Sequence, residues 1–412
     1  MIELKENASS KLKRSYSTYV KQLSTWTEDG AIPEHVSQDV RCALELQRKH
    51  WKTLGLDVHQ DIQKIKGDAS RGAASVSYSD KVFINHIVVD NKELTTTIHN
   101  SNGEIYRKTM NIGLPVVIQE LKEGAQPPSD MTMNCPNCGA PATLAQIENG
   151  CPYCGTHFIM KELYPKVVNY FFEKLLGQGQ KKNYRELITF ILVSTVLMFV
   201  IGPFLWPADS SVFNSIISSI ICGAIIGFSV FCLYKMLEVF AHIGKSFQGA
   251  EKTGKSAMFA LKLRKIDPDF SSEYFRDRAM HLFRMMAYSE NPGVYTACEC
   301  GRPESWETIG DASLHRFGVD QYRIEGQECT VSVTLYLDCL IYNNGRIKSK
   351  GKKVHMTLRK EITAPTDLGF SVKAVNCSSC GGSFDAEQVK RCPYCGHDYD
   401  LSRHDWIVTD IR

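Results

Sequence analysis

The stretch from Leu187 to Tyr234 constrains this chain more than any other. Two apolar runs, Leu187–Trp206 and Val212–Tyr234, contain no charged residue and are separated by Pro207, Ala208, Asp209 and Ser210. About 20 consecutive apolar residues cross the ~30 Å hydrocarbon core of a bilayer. Each run reads as a transmembrane helix, because in lipid a single segment satisfies its backbone groups only by bonding within itself. The expectation is a transmembrane hairpin over 187–234, with spans at 187–206 and 212–234. With no ionisable side chain in either span, nothing marks an ion or proton path.

The second span places Ser215, Ser219, Gly223 and Gly227 four residues apart. Residues at that spacing share one helix face, and a face of small residues lets another helix approach closely. The first span is the expected neighbour. The alternative is a second copy of the chain, giving a homo-oligomer through this face.

Cysteine usage is the second constraint. Of 15 cysteines, eight form four Cys-x-x-Cys pairs: Cys135/Cys138, Cys151/Cys154, Cys377/Cys380 and Cys392/Cys395. Twelve residues lie between Cys138 and Cys151, and eleven between Cys380 and Cys392. Paired Cys-x-x-Cys at this spacing suits four thiolates on one tetrahedral Zn2+, and a closed four-sulfur site is structural because it leaves no position for water. Gly139, Gly155, Gly381 and Gly396 follow the pairs, as a knuckle needs where the chain turns back on its sulfurs. A redox dithiol is a poorer reading, since the pairs come in twos and lack a βαβ setting. The expected cofactor is therefore Zn2+ at two structural sites, in a reducing compartment.

Lys181, Lys182 and Arg185 precede the first span, and Lys235, Lys245, Lys252, Lys255, Lys262, Arg264 and Lys265 follow the second, whereas Asp209 is the only charge between them. The positive-inside rule then puts both termini in the cytoplasm, with the protein multi-pass in the cytoplasmic membrane. The lysines after the second span offer contact with anionic lipid headgroups. The N-terminal residues Met1–Ser10 lack the apolar core of a secretory signal.

In chain order, 1–130 reads as an N-terminal α+β domain. Its helices carry Tyr16, Tyr19, Leu23, Trp26, Val40, Leu44 and Trp51, and its meander has strands at 81–90, 94–98 and 105–110, with turns at Asp90-Asn91 and Asn100–Gly103. The first ribbon occupies 131–160. A juxtamembrane amphipathic helix is expected within 161–186, from Leu163, Val167, Tyr170, Phe171 and Leu175. A basic linker over 235–265 follows the hairpin. A second α+β domain over 266–375 opens with a helix capped by Ser271 or Ser272 whose stripe is Tyr274, Phe275, Ala279, Leu282, Phe283 and Met286. A further helical region near 303–317 and strands at 329–337, 339–342 and 352–360 complete it, with a turn at Asn343-Asn-Gly345. The second ribbon and tail occupy 376–412. The fold class is α+β: two soluble α+β, antiparallel-sheet regions, each ending in a four-cysteine zinc ribbon, flanking a two-helix transmembrane hairpin. The ribbons share an Asn before the first cysteine, Asn134 and Asn376, and Cys-Pro-Tyr-Cys-Gly at the second knuckle, an internal repeat.

The segment Asp267-Pro-Asp-Phe-Ser through Phe283, the meander and ribbon after it, and the closing His404-Asp-Trp-Ile-Val408 resemble bacterial membrane proteins in which a Tim44-like domain precedes Cys-Pro-x-Cys-Gly zinc knuckles. The resemblance covers about residues 266–412. It implies a curved sheet with helices over one face and a hydrophobic pocket between, binding to protein or lipid at a bacterial inner membrane, and no catalysis. Asn291-Pro-Gly and Cys298-Glu-Cys300-Gly-Arg-Pro depart from it where such domains continue in a long second helix.

The sequence carries no phosphate loop, no nucleophile elbow and no zinc-protease motif, which argues against an enzyme. His281, His315 and His355 are isolated. Cys298 and Cys300 could join Cys329 or Cys339 in a third metal site, although separate thiols are the simpler reading. The expected function is a membrane-anchored, cytoplasm-facing scaffold or adaptor with an unidentified protein partner and contact with membrane lipid. The alternative is a zinc-ribbon nucleic-acid-binding or regulatory membrane protein. Against nucleic acid, the only charge in the first ribbon is Glu148, and Lys390 and Arg391 of the second are offset by Asp385 and Glu387.

Overall fold

A computed structural model of the chain describes residues 2–65, 74–174, 179–205, 212–363 and 366–412. It divides into two compact units, one of Met1–Lys174 with Lys255–Arg412 and one of Leu175–Gly254. The break Pro207–Ser210 and Trp206 lie outside the described residues.

The first unit opens with helices α1 (Ile2–Asp29) and α2 (Gln38–Thr53) and strands β1 (Asp57–Lys64), β2 (Ala74–Ser79), β3 (Phe83–Asn100) and β4 (Gly103–Leu121). The first ribbon holds β5 (Thr132–Asn134), β6 (Pro141–Thr143) and α3 (Leu144–Asn149). Strands β7 (Lys166–Tyr170) and β8 (Glu173–Lys174) follow. After α4 (Gly179–Leu205) and α5 (Val212–Leu263) come α6 (Ser272–Tyr288), β9 (Ile309–Glu325), β10 (Glu328–Asn343) and β11 (Arg346–Glu361). The second ribbon holds β12 (Val375–Asn376) and β13 (Ser383–Phe384), and β14 (Ile407–Ile411) ends the chain.

Ten strands form one sheet in the order β1-β3-β4-β8-β9-β10-β11-β14, with β2 also pairing β3 and β7 also pairing β4. The two α+β regions expected as separate domains therefore share a sheet. The stitch is β8, two residues long: it runs antiparallel to β4 at Ile112 and Gly113 and parallel to β9 at Glu173↔Leu314. The Leu314 N–H adds a bond to the Phe172 carbonyl at 2.8 Å.

Several local expectations change. Asp90-Asn91 is not a turn: β3 continues through it, Asp90 opposite Leu114 and Asn91 opposite Gly113. The Asp90 carboxylate is instead taken by Lys92 at 2.5 Å. The turn at Asn100–Gly103 is present, with Gly103 at φ 112 and the Asn102 N–H bonded to the Asn100 side chain at 2.9 Å. Asn344 (φ 49) and Gly345 (φ 74) make the β10–β11 turn, the left-handed pair a tight hairpin requires. The strands expected at 329–337 and 339–342 are one strand, β10.

The amphipathic helix expected within 161–186 is replaced by β7 and β8, and α4 begins only at Gly179. Val167, Tyr170, Phe171 and Phe172 are all buried. The β-branched and aromatic side chains of Lys166–Tyr170 pack on a pleated surface beside β4. Near 303–317 there is only a single 3-10 turn, Glu304–Trp306, before β9. The basic linker over 235–265 is helical through Leu263, because no proline interrupts it before Asp267-Pro268. Its last turns bury Phe259, Ala260 and Leu263 in the first unit.

The helix α6 sits at the centre of the C-terminal core. Ser271 caps it, accepting from the N–H groups of Glu273 (3.2 Å) and Tyr274 (3.3 Å). Phe275 packs edge-on against Trp406, centroids 4.8 Å apart, so the Trp of the closing motif plugs this core. The N-terminal core gathers Trp26, Trp51, Leu44, Ile98, Ile112 and Leu114 between α1, α2 and the sheet.

In the second unit α4 packs on α5 through the small-residue face. Ser219, Gly223 and Gly227 are buried, and Ser215 is half-buried. A Cβ at Gly223 would lie 2.5 Å from the Thr195 Cα, and one at Gly227 would lie 2.7 Å from the Ile191 Cα and 2.8 Å from the Phe190 carbonyl oxygen. Lys235 bridges Glu186 at 2.7 Å. Outward, Leu192, Val196, Ile217, Ile221, Ile225 and Phe228 are exposed. Among the described residues one helix is long and apolar enough to cross a membrane, Phe213–Met236 within α5, and most of it is not buried. The apolar part of α4, Glu186–Ile201, is shorter. Because a Cβ at Gly227 would meet the Ser194 hydroxyl and, just beyond it, the backbone of Ile191 and Phe190, Gly227→Ala should force the helices apart and cost about 1–3 kcal/mol. Thermal unfolding in detergent should register this loss for Gly227→Ala and none for Ile225→Leu on the exposed face.

Candidate metal centres and a polar cavity

Each Cys-x-x-Cys turn is built alike. The N–H of Gly139, Gly155, Gly381 and Gly396 returns to the carbonyl of the first cysteine in its own pair at 2.8, 2.8, 2.9 and 2.9 Å. These glycines have φ of 75°, 71°, 73° and 74°, where a side chain is strained. The N–H groups of Cys135, Cys151, Cys377 and Cys392 bond to residues beyond the turn, Ala140, Thr156, Gly382 and His397. The four knuckles are thus one design used four times.

The turns bring Cys135, Cys138, Cys151 and Cys154 together, and likewise Cys377, Cys380, Cys392 and Cys395, with the sulfurs of each group within 4.8 Å of one another. Individual separations are 3.6 Å (Cys135–Cys154), 3.8 Å (Cys138–Cys151), 3.5 Å (Cys377–Cys395) and 3.7 Å (Cys380–Cys392). A disulfide would need about 2.05 Å. Tetrahedral sulfurs about 2.3 Å from a metal lie about 3.8 Å apart, so the spacing matches a shared ion. The Cys377 thiol is drawn down to about 6, chiefly by the Cys380 backbone N–H, and Cys154 to about 6, chiefly by the Thr156 side chain. Burial pushes Cys135 up to about 12. The spacing of the sulfurs is therefore such that each group could hold a metal ion.

The two ribbons also hold each other. The Asn134 side-chain amide donates to the Lys373 carbonyl at 3.0 Å, and that of Asn376 donates to the Asp130 carbonyl at 3.1 Å. The Tyr153 and Tyr394 hydroxyls meet at 3.4 Å. The residues repeated in the two motifs are thus the ones that join them, in a reciprocal pairing.

The remaining thiols do not gather. Cys298, Cys329 and Cys339 are pushed up to about 12 by burial, and no metal-holding group among the described residues includes them. A further group is Asp57, His59 and His99 on adjoining strands β1 and β3, partly exposed.

Beside the first ribbon lies a cavity of about 450 Å³. Its α6 wall carries Tyr274, Asp277, Arg278 and His281, at i, i+3, i+4 and i+7. The Arg278 guanidinium pairs with Asp405 at 2.7 Å, both nearly buried. Burial lowers the guanidinium's hold on its proton, but Asp405 and Asp39 outweigh this and raise it. Burial pushes the Asp39 carboxyl up, and Arg278 draws it back. Burial pushes Asp277 up to about 7, and forces His281 well below its ordinary value, so that ring is neutral. Sequence reading places Tyr274 in the apolar stripe and takes His281 as isolated, and it passes over Asp277 and Arg278 because the stripe dominates the helix. The missed signal is a second, polar stripe on a helix that buries nearly every residue from Phe275 to Tyr288.

Comparison with known protein families, with curated proteins and with solved structures finds no match.

Proposed function

We propose that this chain is a membrane-anchored scaffold or adaptor in which two structural zinc ions clip its N- and C-terminal halves together. The hairpin over 187–234 would cross the bilayer twice, with both termini cytoplasmic. The observation that carries the reading is the pairing of an apolar helix that leaves most of its surface exposed with two four-cysteine clusters in the other unit. Such a helix face is stable in lipid and not in water. Thiolate sites suit the reducing side. Each ribbon's asparagine bonds to the residues that lead into the other ribbon, which supports a structural use over nucleic-acid contact. The Tim44-like resemblance supports protein or lipid as the partner of the C-terminal region.

Membrane fractionation followed by thiol labelling tests this. The chain should resist carbonate extraction and yield only to detergent. In intact cells, an impermeant thiol reagent should label Ser210→Cys while leaving both ribbons unlabelled. Recovery in the soluble fraction, or labelling of the ribbons from outside, would overturn it.

A further inference from the structure

The cavity beside the first ribbon leaves polar groups unanswered. Asp277 is 4 % exposed, and one of its oxygens accepts long bonds from Arg276 at 3.4 Å. Its other oxygen has no hydrogen-bond partner. Across the cavity Asn85 is 2 % exposed; its amide nitrogen donates to the Tyr78 hydroxyl at 3.2 Å, and its oxygen has no partner. Buried polar atoms are almost always bonded, so two unpartnered acceptors on residues that line one cavity ask for a donor from outside the chain.

Charge points the same way. The lining carries Asp39, Asp277, Asp367 and Asp405 against Arg41, Lys166 and Arg278. Arg278 is taken by Asp405 and also faces Asp39, and at Asp277 Arg276 reaches one oxygen alone, at 3.4 Å, which leaves the other oxygen unanswered. The rings of Tyr78 and Tyr274 lie edge to face, centroids 6.3 Å apart, and offer π surface to a cation. An anion would find its best partner, Arg278, already occupied and would meet a carboxyl held only by a long pair to Arg276.

We propose that this cavity binds a small organic cation, a primary ammonium or guanidinium group on a short apolar or aromatic body, whose N–H donors reach Asp277 and Asn85. The volume suits a molecule of that size. The site goes beyond the anchor and scaffold reading and does not depend on it, since it is tested on detergent-solubilised protein.

The probes are 2-phenylethylammonium and butylguanidinium, with 2-phenylethanol and 3-phenylpropanoate as matched neutral and anionic controls. Calorimetric titration and thermal shift of the full chain should show saturable binding and stabilisation by the cations. Each control should bind at least about tenfold more weakly. Asp277→Asn should keep the fold, because a near-isosteric amide replaces a buried carboxyl held only by a long pair to Arg276, and should weaken cation binding by about tenfold or more. Equal binding of the anionic or neutral control to the unmodified chain would overturn the proposal. So would unchanged affinity in Asp277→Asn, or no saturable binding of either cation.

Discussion

Replacing Cys392 by serine should remove one metal ion per chain and unfold the C-terminal ribbon. Cys392 is 2 % exposed, and with Cys377, Phe384, Ala386 and Leu401 it belongs to the core built on α6. A ribbon of this length cannot bury enough apolar surface alone, so metal binding supplies its folding energy, about 10–16 kcal/mol for a structural Zn2+ at neutral pH. That exceeds or matches the whole stability of an ordinary domain, about 5–15 kcal/mol. The damage should spread. Loss of order at Lys373 and Asn376 breaks both amide bonds to the first ribbon, and loss of Leu401 loosens the segment that delivers Trp406 to Phe275. Metal analysis should show one zinc per chain instead of two, and limited proteolysis should cut first between Asn376 and Asp400. Cys395→Ser, at an exposed ligand, should do the same through metal loss alone. Cys329→Ser, a buried thiol outside both clusters, should keep both ions.

Arg278→Ala should be the most damaging change away from the cysteines. Arg278 neutralises Asp405 at 2.7 Å and attracts Asp39. Truncating it leaves the buried Asp405 carboxylate without its partner. Breaking a buried pair on one side costs about 3–5 kcal/mol, a large fraction of domain stability. The effect should be non-additive. Removing both charges in Arg278→Met/Asp405→Leu takes away the stranded carboxylate along with its partner, so the double variant should be more stable than Arg278→Ala. Chemical denaturation of the parent, Arg278→Met, Asp405→Leu and the double variant measures the coupling. Equal stability of Arg278→Ala and the parent would show that the pair carries no weight.

What the sequence revealed was what local chemistry writes into short stretches. Eight cysteines at ligand spacing, glycines at the knuckles, the Asn344-Gly345 turn and the long apolar run each have a signature a few residues wide. What stayed hidden depended on distant partners. Two residues, Glu173 and Lys174, have no period, yet as β8 they join the two halves into one sheet. Val167, Tyr170 and Phe171 fit helical spacing as well as they fit a strand, and only β4 beside them decides the matter. Asp90-Asn91 has the composition of a turn, but a continuous ladder on both sides overrides it. Asp277, Arg278 and His281 look like the wet face of an amphipathic helix until α2, the first ribbon and the tail close over them. The duplication of the ribbons was legible, while its purpose, a reciprocal clasp through Asn134 and Asn376, needed three dimensions.

The most direct test of the zinc-clipped architecture is metal stoichiometry on the intact chain purified without added metal, by native mass spectrometry from detergent. Two zinc ions per chain are expected, one for each four-cysteine group, with both halves loosening together when a chelator strips them. A metal-free chain that keeps its fold would contradict it.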